Sequence, residues 1–487
     1  MVSRFARLPV PASLLATLLL AGCAVGPDYA TPQFQLPGHW SNAPKSSQSA
    51  TAPELARWWE KLGDKTLNRL VDEAVAGNLD VAKAKANIRA ARATLVKTGG
   101  TLEPTLSTSD SAQRLRSKGN VDNMFQAGFD ASWELDLFGG NRRGVEAATH
   151  SAEAAEDDLY STLLTLIGDV ATNYIEARGY QARIALASRT AASQRQTAAL
   201  TKAKLDAGTA SAVDVAKADA IAASTEANIP AYRLAYSQAV HRLGILLGRE
   251  PEALIAEMNR GGAIPLPRRG LPIGIPADVL ANRPDVRAAE RRLAQSTALI
   301  GQAEAQRYPS ISLTGSISSS ATRIGDMGKS TAIGWAFGPT LTVPIFNGGQ
   351  LAAAVDVAAA NRDVSFIAFK ASVLGALEDV ENALVAVTQQ RLQMAKLDEA
   401  ASRYRQAAEL SRTLYQTGAS SFLDVLDAER SLYSAEDALI VSRTNIATDY
   451  VALAKALGAG WDKPVDVTKP EVVDQNTGPH LALNKAQ

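Results

Sequence analysis

The chain has one cysteine, Cys23, and only four histidines, His39, His150, His241 and His480. A lone cysteine excludes an intramolecular disulfide framework and a cysteine-based zinc site, and histidines so far apart form no His-x-x-x-His pair. No metal and no metalloenzyme are expected. Charge of one sign is lacking as well, since 50 Lys and Arg stand against 50 Asp and Glu. Without a basic surplus there is no electrostatic footprint for nucleic acid, so no nucleic-acid partner is expected. Aromatic residues make up 6% of the chain within a hydrophobic 46% that is heavily alanine. Such a sequence is short of the bulky groups that fill a globular core and rich in the best helix former. Neither a Gly-x-Ser-x-Gly elbow nor a phosphate loop nor a plausible pair of catalytic carboxylates is present, so no enzyme is expected.

What the chain does have begins at its start. Arg4 and Arg7 precede an apolar run of eight, Leu14 to Ala21, too short to cross a bilayer as a helix. Leu20-Ala21-Gly22-Cys23 follows at once, and small residues before a lone cysteine here form a bacterial lipoprotein box. Residues 1–22 then read as a signal peptide and Cys23 as the first residue of the mature chain, carrying a covalent lipid rather than any other cofactor. Ala24, where lipoproteins kept at the inner membrane usually carry Asp, directs the anchor to the outer membrane.

The chain repeats itself. Asp80, Val81, Ala84, Ile88, Leu95 and Pro104 match Asp285, Val286, Ala289, Leu293, Ile300 and Pro309 at an offset of 205. Gly208, Ser211, Asp214 and Val215 match Gly418, Ser421, Asp424 and Val425 at an offset of 210, and Leu247-Gly248 matches Leu457-Gly458. Three segments in one order at a nearly constant offset define two halves, 66–248 and 277–458. A lipidated segment, 23–65, precedes them; a proline- and glycine-rich linker, 249–276, separates them; a tail, 459–487, follows.

Each half follows one plan. A helix, about 66–98 or 277–307, ends before Pro104 or Pro309. Strands follow, within about 102–137 and 309–346. Phe125, Ala127, Phe129, Ala131, Trp133, Leu135 and Leu137 alternate strictly with polar or small residues, as do Ile333, Trp335, Phe337, Leu341, Val343 and Ile345. Residues 104–109 and 309–318 alternate more weakly, while 110–123 and 319–331, with Arg114, Arg116, Lys118 and Arg323, read as polar loops. From Asn141 to Asp206 and from Gln350 to Gln416 there is no proline, and Val373, Val380, Val387, Met394, Ala401, Ala408 and Tyr415 recur every seven residues. That is a coiled-coil seam of small residues, on helices about 100 Å long.

Gly208 and Gly418 stand at the turns, about 206–212 and 416–422, where each rod reverses. Ser211-x-x-Asp214 and Ser421-x-x-Asp424 are patterned as capping boxes for return helices that run to about 247 and 457. Pro230 should kink or break the first of these.

Strands of about ten residues with one apolar face suit a membrane barrel, yet four cannot close on themselves. Either they form a small soluble sheet on helices, or copies complete a barrel, three of them giving twelve strands.

Six ordered motifs carry a family resemblance: Cys23-Ala-Val-Gly-Pro-Asp-Tyr29, Trp58-Trp59 before Leu67, Leu280-Ala-Asn-Arg-Pro-Asp-Val-Arg287, Tyr308-Pro-Ser-Ile-Ser-Leu-Thr-Gly315, Pro344-Ile-Phe-Asn-Gly-Gly349 and Leu423-Asp-Val-Leu-Asp-Ala-Glu429. Over Cys23 to about Gly458 the chain resembles the TolC-like outer-membrane factors of tripartite efflux systems, and more closely their NodT/OprM-type lipoprotein branch. The resemblance implies a fold that is mainly α with membrane β: a twofold internal repeat, a long coiled-coil helical tunnel, and four β-strands per chain completing a trimeric twelve-stranded barrel. It implies a homotrimer in the outer membrane of a Gram-negative bacterium, in contact with outer-membrane lipid and reaching into the periplasm. Its partners would be a periplasmic adaptor and an inner-membrane pump, usually of the resistance-nodulation-division type. The function implied is passive conduction of small molecules such as drugs to the exterior. A channel for one-step (type I) protein secretion is the nearest alternative, and a non-channel coiled-coil lipoprotein tether, which needs no alternating strands, is the other.

The resemblance places the periplasmic gate at the turns. Asp424 and Asp427 match acidic positions of the constriction, and Asp214 a partner position; capping explains Asp214 and Asp424 equally well. Asp427 lies one helical turn on and has Lys217 as its first-half equivalent, so an Asp427 to Lys217 link between neighbouring hairpins is a candidate. Tyr415 matches a tyrosine that bonds across the closed tip, and it is also a seam residue. Ser420 departs from the TolC pattern, which has a basic residue there.

Overall fold

Asn78 and Arg283 stand 205 positions apart, and each ends one helix and starts the next, so the single helices expected in both halves are pairs. A computed structural model defines residues 24–42, 55–117, 119–267, 270–470 and 472. The signal segment 1–22, Cys23, Lys118 and most of the C-terminal tail lie outside the described residues. In the first half α1 spans Lys65–Gly77 and α2 Leu79–Gly99. Asn78 accepts at its side chain from the N–H groups of Asp80 (2.8 Å) and Val81 (3.1 Å), supplying the acceptor that a helix start lacks. In the second half the corresponding break falls before Pro284, between a helix at Pro276–Asn282 and one at Pro284–Ala305. Both junction residues then reach the last residue of a long return helix: Asn78 Nδ2 donates to Leu246 O at 2.9 Å and Arg283 Nη1 to Ala456 O at 3.2 Å.

After α2 come β1, Thr105–Ser117, and β2, Asn120–Leu135. Then follow α3, Gly140–Asp206, and α4, Ala212–Leu246. A short α5, Ile255–Met258, leads to α6, Pro276–Asn282, and α7, Pro284–Ala305. The second half continues with β3, Ser310–Ala321, β4, Ile333–Thr342, α8, Gln350–Thr417, and α9, Phe422–Ala456.

Two compact units share these elements. Among the described residues, one draws on those from Ala24 to Phe34, Asn87–Glu156 and Arg287–Ala371; the other on Gln35–Ala86, Asp157–Val286 and those after Ala371. The first holds an antiparallel four-stranded sheet in the order β1-β2-β3-β4. Residues 110–117 and 120–123, expected as loop, belong to its first hairpin, with Ser117 paired to Asn120. Their Ser, Asp, Gln and Arg side chains carry no apolar period, so alternation could not reveal them. In the second hairpin 319–321 are likewise strand, and the loop is shorter than expected.

The second unit holds the large core. Trp58, Trp59, Leu67, Tyr174, Leu243 and Tyr450 are fully buried, Trp58 packing edge-on against Trp59 and Tyr450 at ring distances of 6.0 and 6.1 Å. The 249–276 segment is more than a linker: Leu254 and Met258 are buried, and Arg178 Nη1 donates to Arg260 O at 2.8 Å. The heptad seam is buried at Val373, Val380, Ala401, Ala408 and Tyr415 and half-buried at Val387 and Met394.

Pro230 does not break α4, which runs 35 residues through it, the same length as α9. A proline inside a helix costs roughly 3 kcal/mol. Here side chains on both sides of it are tied down: Asn228 Nδ2 donates to Tyr433 OH at 3.3 Å, and Tyr232 OH accepts from Arg183 Nη2 at 3.0 Å. Arg183 in turn holds Asp437 of α9 through two bonds of 2.8 and 2.9 Å.

Candidate functional site

The pairing register sorts the sheet into two chemically opposite faces. Phe129 pairs with Ile317, which pairs with Trp335, so the three point the same way. On that face also lie Leu106 of β1, Phe125 and Trp133 of β2, Ile311 and Leu313 of β3, and Phe337 and Leu341 of β4. The opposite face carries Ser107, Ser109, Gln126, Asp130, Ser312, Thr314, Ser316, Ser318 and Thr340. In water the apolar face would be covered, yet Trp335 is 79% and Phe337 74% exposed in the single chain. Both edge strands, β1 and β4, keep one side unpaired among the described residues. An exposed apolar face, a polar reverse and two open edges are what a barrel segment has and what a small soluble sheet on helices lacks.

The chain start is seated beside this sheet. Val25 N–H donates to Phe138 O at 3.0 Å, three residues after β2 ends. The buried Arg143 guanidinium binds Asp28 at 2.6 Å and Val25 O at 3.3 Å. Cys23 itself lies outside the described residues.

In the other unit, the two helical turns repeat atom for atom. Gly208 and Gly418 both have φ of 78°, in the left-handed region that glycine enters without strain. Gly208 N–H donates to Leu205 O and Thr209 N–H to Lys204 O, both at 2.8 Å; Gly418 and Ala419 do the same to Tyr415 O (3.1 Å) and Leu414 O (2.8 Å). Each rod thus ends in a Schellman motif.

Both capping boxes form. Asp214 accepts from the N–H (3.1 Å) and hydroxyl (2.7 Å) of Ser211, whose Oγ accepts from Asp214 N–H. Asp424 does the same with Ser421 and takes a further bond, 2.7 Å, from Ser420. Ser420, noted as a missing basic residue, therefore serves the cap. The Ser211 hydroxyl and backbone hold the Asp214 carboxyl below the usual range, and Ser420 and then Ser421 do so for Asp424.

Asp427 is exposed on α9 and Lys217 on α4, and the two form no ion pair with each other among the described residues. Tyr415 is a buried seam residue that also bonds to the neighbouring rod. Its ring is buried in a cluster with Ala198, Ala218, Phe422 and Val425, and its hydroxyl donates across to Thr201 of α3 at 3.1 Å. Lys204 caps it, Nζ lying 4.4 Å from the ring centre and donating to Tyr415 O at 2.6 Å.

Three features at this end were not read from sequence. Glu429 is buried and accepts from Arg412 (2.8 Å) and Thr197 (3.0 Å), joining α9, α8 and α3. Arg195 clasps Glu226 at 2.8 and 2.9 Å, and Arg405 clasps Glu436, 210 positions later in both partners. The equal spacing of 31 residues within each pair was the signal that could have found them. No group of metal-ligating side chains occurs among the described residues, and none of their helices is long and apolar enough to cross a membrane.

The chain is similar to known proteins over most of its length. The outer membrane efflux protein family matches residues 70–249 and 275–459. Nodulation protein T of Rhizobium leguminosarum bv. trifolii is 37% identical over 94% of this chain and 98% of its own length. The solvent efflux pump outer membrane protein SrpC of Pseudomonas putida is 32% identical over 94% and 99%. Among solved structures, the outer-membrane channel OprN superposes with a TM-score of 0.84 at 35% identity, over 90% of this chain and all of its own. The open state of the Neisseria gonorrhoeae MtrE outer membrane channel gives 0.80 at 31%, over 90% and 98%. This chain is a member of the outer membrane efflux protein family.

Proposed function

We propose that the chain is the exit duct of a tripartite efflux system, a homotrimer in the outer membrane that passes small molecules from a periplasmic adaptor and an inner-membrane pump of the resistance-nodulation-division type to the exterior. The exposed apolar face of a sheet with two open edges carries this reading, because only further copies of the chain can turn that sheet into a closed wall. Three copies supply twelve strands, with Trp335, Phe337 and Phe129 against lipid and the serine and threonine face against water. A tether has no use for such a sheet.

A lipid on Cys23 fits the seating of Val25 three residues beyond β2, since it brings the acyl chains to the end of the strands, where a bilayer surface would lie. The turns at Gly208 and Gly418 form the gate. Asp214 and Asp424 shape it as caps, Tyr415 holds the rods together, and Asp427, with no partner of its own among the described residues, faces a neighbouring copy whose Lys217 is its candidate counter-ion.

The test is complementation of a deletion strain, scored by sensitivity to drugs, dyes and solvents, with cross-linking from cysteines flanking Gly208 and Gly418. Restored resistance and a cross-linked adaptor support the duct. Unchanged sensitivity in the deletion strain, or a protein substrate retained in its cells, would refute it in favour of a tether or of protein secretion.

A further inference from the structure

The apolar face of the sheet has a measurable height. From Leu135, paired with Ile311, to Phe125, paired with Ala321, β2 advances by ten residues. Ten residues rise about 34 Å, and a strand tilted about 40° then spans about 26 Å of membrane, close to the apolar band of outer-membrane barrels. The first hairpin continues past that level, because β3 ends at Ala321 while β1 and β2 remain paired to Ser117 and Asn120.

On this overhang the side-chain chemistry of the lipid-facing surface changes abruptly. Arg114 pairs with Asn123 and Arg116 with Val121, and the even positions of β1 share the face of Phe125 and Phe129. Two arginines therefore stand one strand repeat apart, about 7 Å, directly beyond the aromatic band. Arg323 follows two residues after the end of β3, extended at φ −130° and ψ 136°. All three are exposed, and none makes a side-chain bond or ion pair among the described residues. Acidic neighbours form no ion pair with them: Asp122 is on the opposite face, Asp110 lies four residues deeper than Arg114, about 13 Å, where it accepts from Thr108 at 3.4 Å, and Asp326, three residues after Arg323, is paired with Lys329 at 2.5 Å. The helices α3 and α8 join the sheet at its other end, so the arginine end is the outer one.

We propose that Arg114, Arg116 and Arg323 form a phosphate-binding rim that holds the phosphorylated sugar headgroup of the outer-leaflet glycolipid against each protomer. Guanidinium groups pair bidentately with phosphate and keep their charge at any physiological pH, which suits a contact at the hydrocarbon boundary. The glycolipid is favoured over a soluble anion because the arginines continue the surface that touches acyl chains, so one molecule fills both parts. The proposal rests on the barrel reading of the sheet.

The experiment compares the detergent-purified full chain with its Arg114→Ala/Arg116→Ala/Arg323→Ala variant by native mass spectrometry after addition of diphosphorylated lipid A, dephosphorylated lipid A, or inorganic phosphate as competitor. The wild type is expected to keep the phosphorylated lipid, the variant to lose it at least about fivefold, and a triple Arg→Lys variant to fall between them. Dephosphorylated lipid is expected not to be retained. Equal retention of both lipids, equal retention by variant and wild type, or displacement by millimolar phosphate would each overturn the rim. An SDS-resistant trimer and bilayer current, measured on the same samples, separate the two failures. Their absence in the wild type defeats the barrel reading, whereas intact trimers and currents with unchanged lipid retention defeat the rim alone.

Discussion

The hydroxyl of Tyr415 donates to Thr201 Oγ1 at 3.1 Å, tying the last turns of the two long helices together where each is about to reverse. The bond is buried, so water does not compete for it, and its ring sits on Phe422 at 5.9 Å. Tyr415→Phe keeps that packing and removes one hydrogen bond, a loss of about 1 kcal/mol. Tip closure is expected to weaken, seen as higher single-channel conductance in planar bilayers. Tyr415→Ala should raise it further, since it also opens a cavity under Lys204.

Glu429 is 2% exposed and its nearest cation is Arg412, so the pair behaves as a buried one. Arg412→Ala strands a carboxylate away from water and is expected to cost about 3 kcal/mol. Adding Glu429→Gln removes the stranded charge and should recover much of that loss. Thermal unfolding of the single and double variants in detergent checks both, and equal destabilisation would mean that Glu429 is hydrated.

The two capping carboxylates set an acid limit. Hydroxyls of Ser211, and of Ser420 and Ser421, hold Asp214 and Asp424 below the usual range. A carboxyl with a lowered folded pKa contributes stability above its unfolded pKa, about 3.9, and loses that contribution as pH falls through the folded value. Hydrogen exchange at residues 208–215 and 418–425 should stay constant from neutral pH to about 5 once corrected for intrinsic rate, and rise only below about pH 4. In Ser420→Ala the rise at the second turn should begin at higher pH than in the first.

The two faces of the sheet should tolerate charge differently. Trp335→Lys places an ammonium near the middle of the apolar face and is expected to cost about 2–4 kcal/mol of folded, inserted protein. Ser316→Lys, one position along from the Ile317 that pairs with Trp335, points to the polar side and should insert normally while changing ion selectivity. Folding yield into vesicles and reversal potential separate the two.

The sequence made the repeat, the rods, the turns and one strand of each hairpin legible, because each rests on a local rule: an offset, a heptad, a glycine before a capping box, a period of two. It hid the parts whose logic is not local. The outer end of the β1 and β2 hairpin is mostly polar, with Leu115 on one face and Val121 on the other, so no apolar period marks it. Asn78 breaks its helix with a side-chain cap that looks like any helical asparagine until Asp80 and Val81 N–H are seen to point at it. That α4 continues unbroken through Pro230 is not legible locally either, because the side chains beside it are held by Arg183 and Tyr433, residues remote in the chain. At the turns, sequence named Tyr415 and both aspartates but left cap and gate undecided. It passed over Thr201, Lys204 and Glu429, whose partners lie on other helices.

The central claim, that copies of this chain close one barrel, turns on the edges β1 and β4. Within one chain they are separated by two strands, about 14 Å, too far for a disulfide to join them. Cysteine pairs stepped along the polar faces of both strands, such as Ser109→Cys with Ala336→Cys in a Cys23→Ala background, can therefore link only different copies. Oxidation in native membranes should give covalent trimers at one register and nothing larger. Monomers at every register, or ladders that pass three copies, would contradict the account.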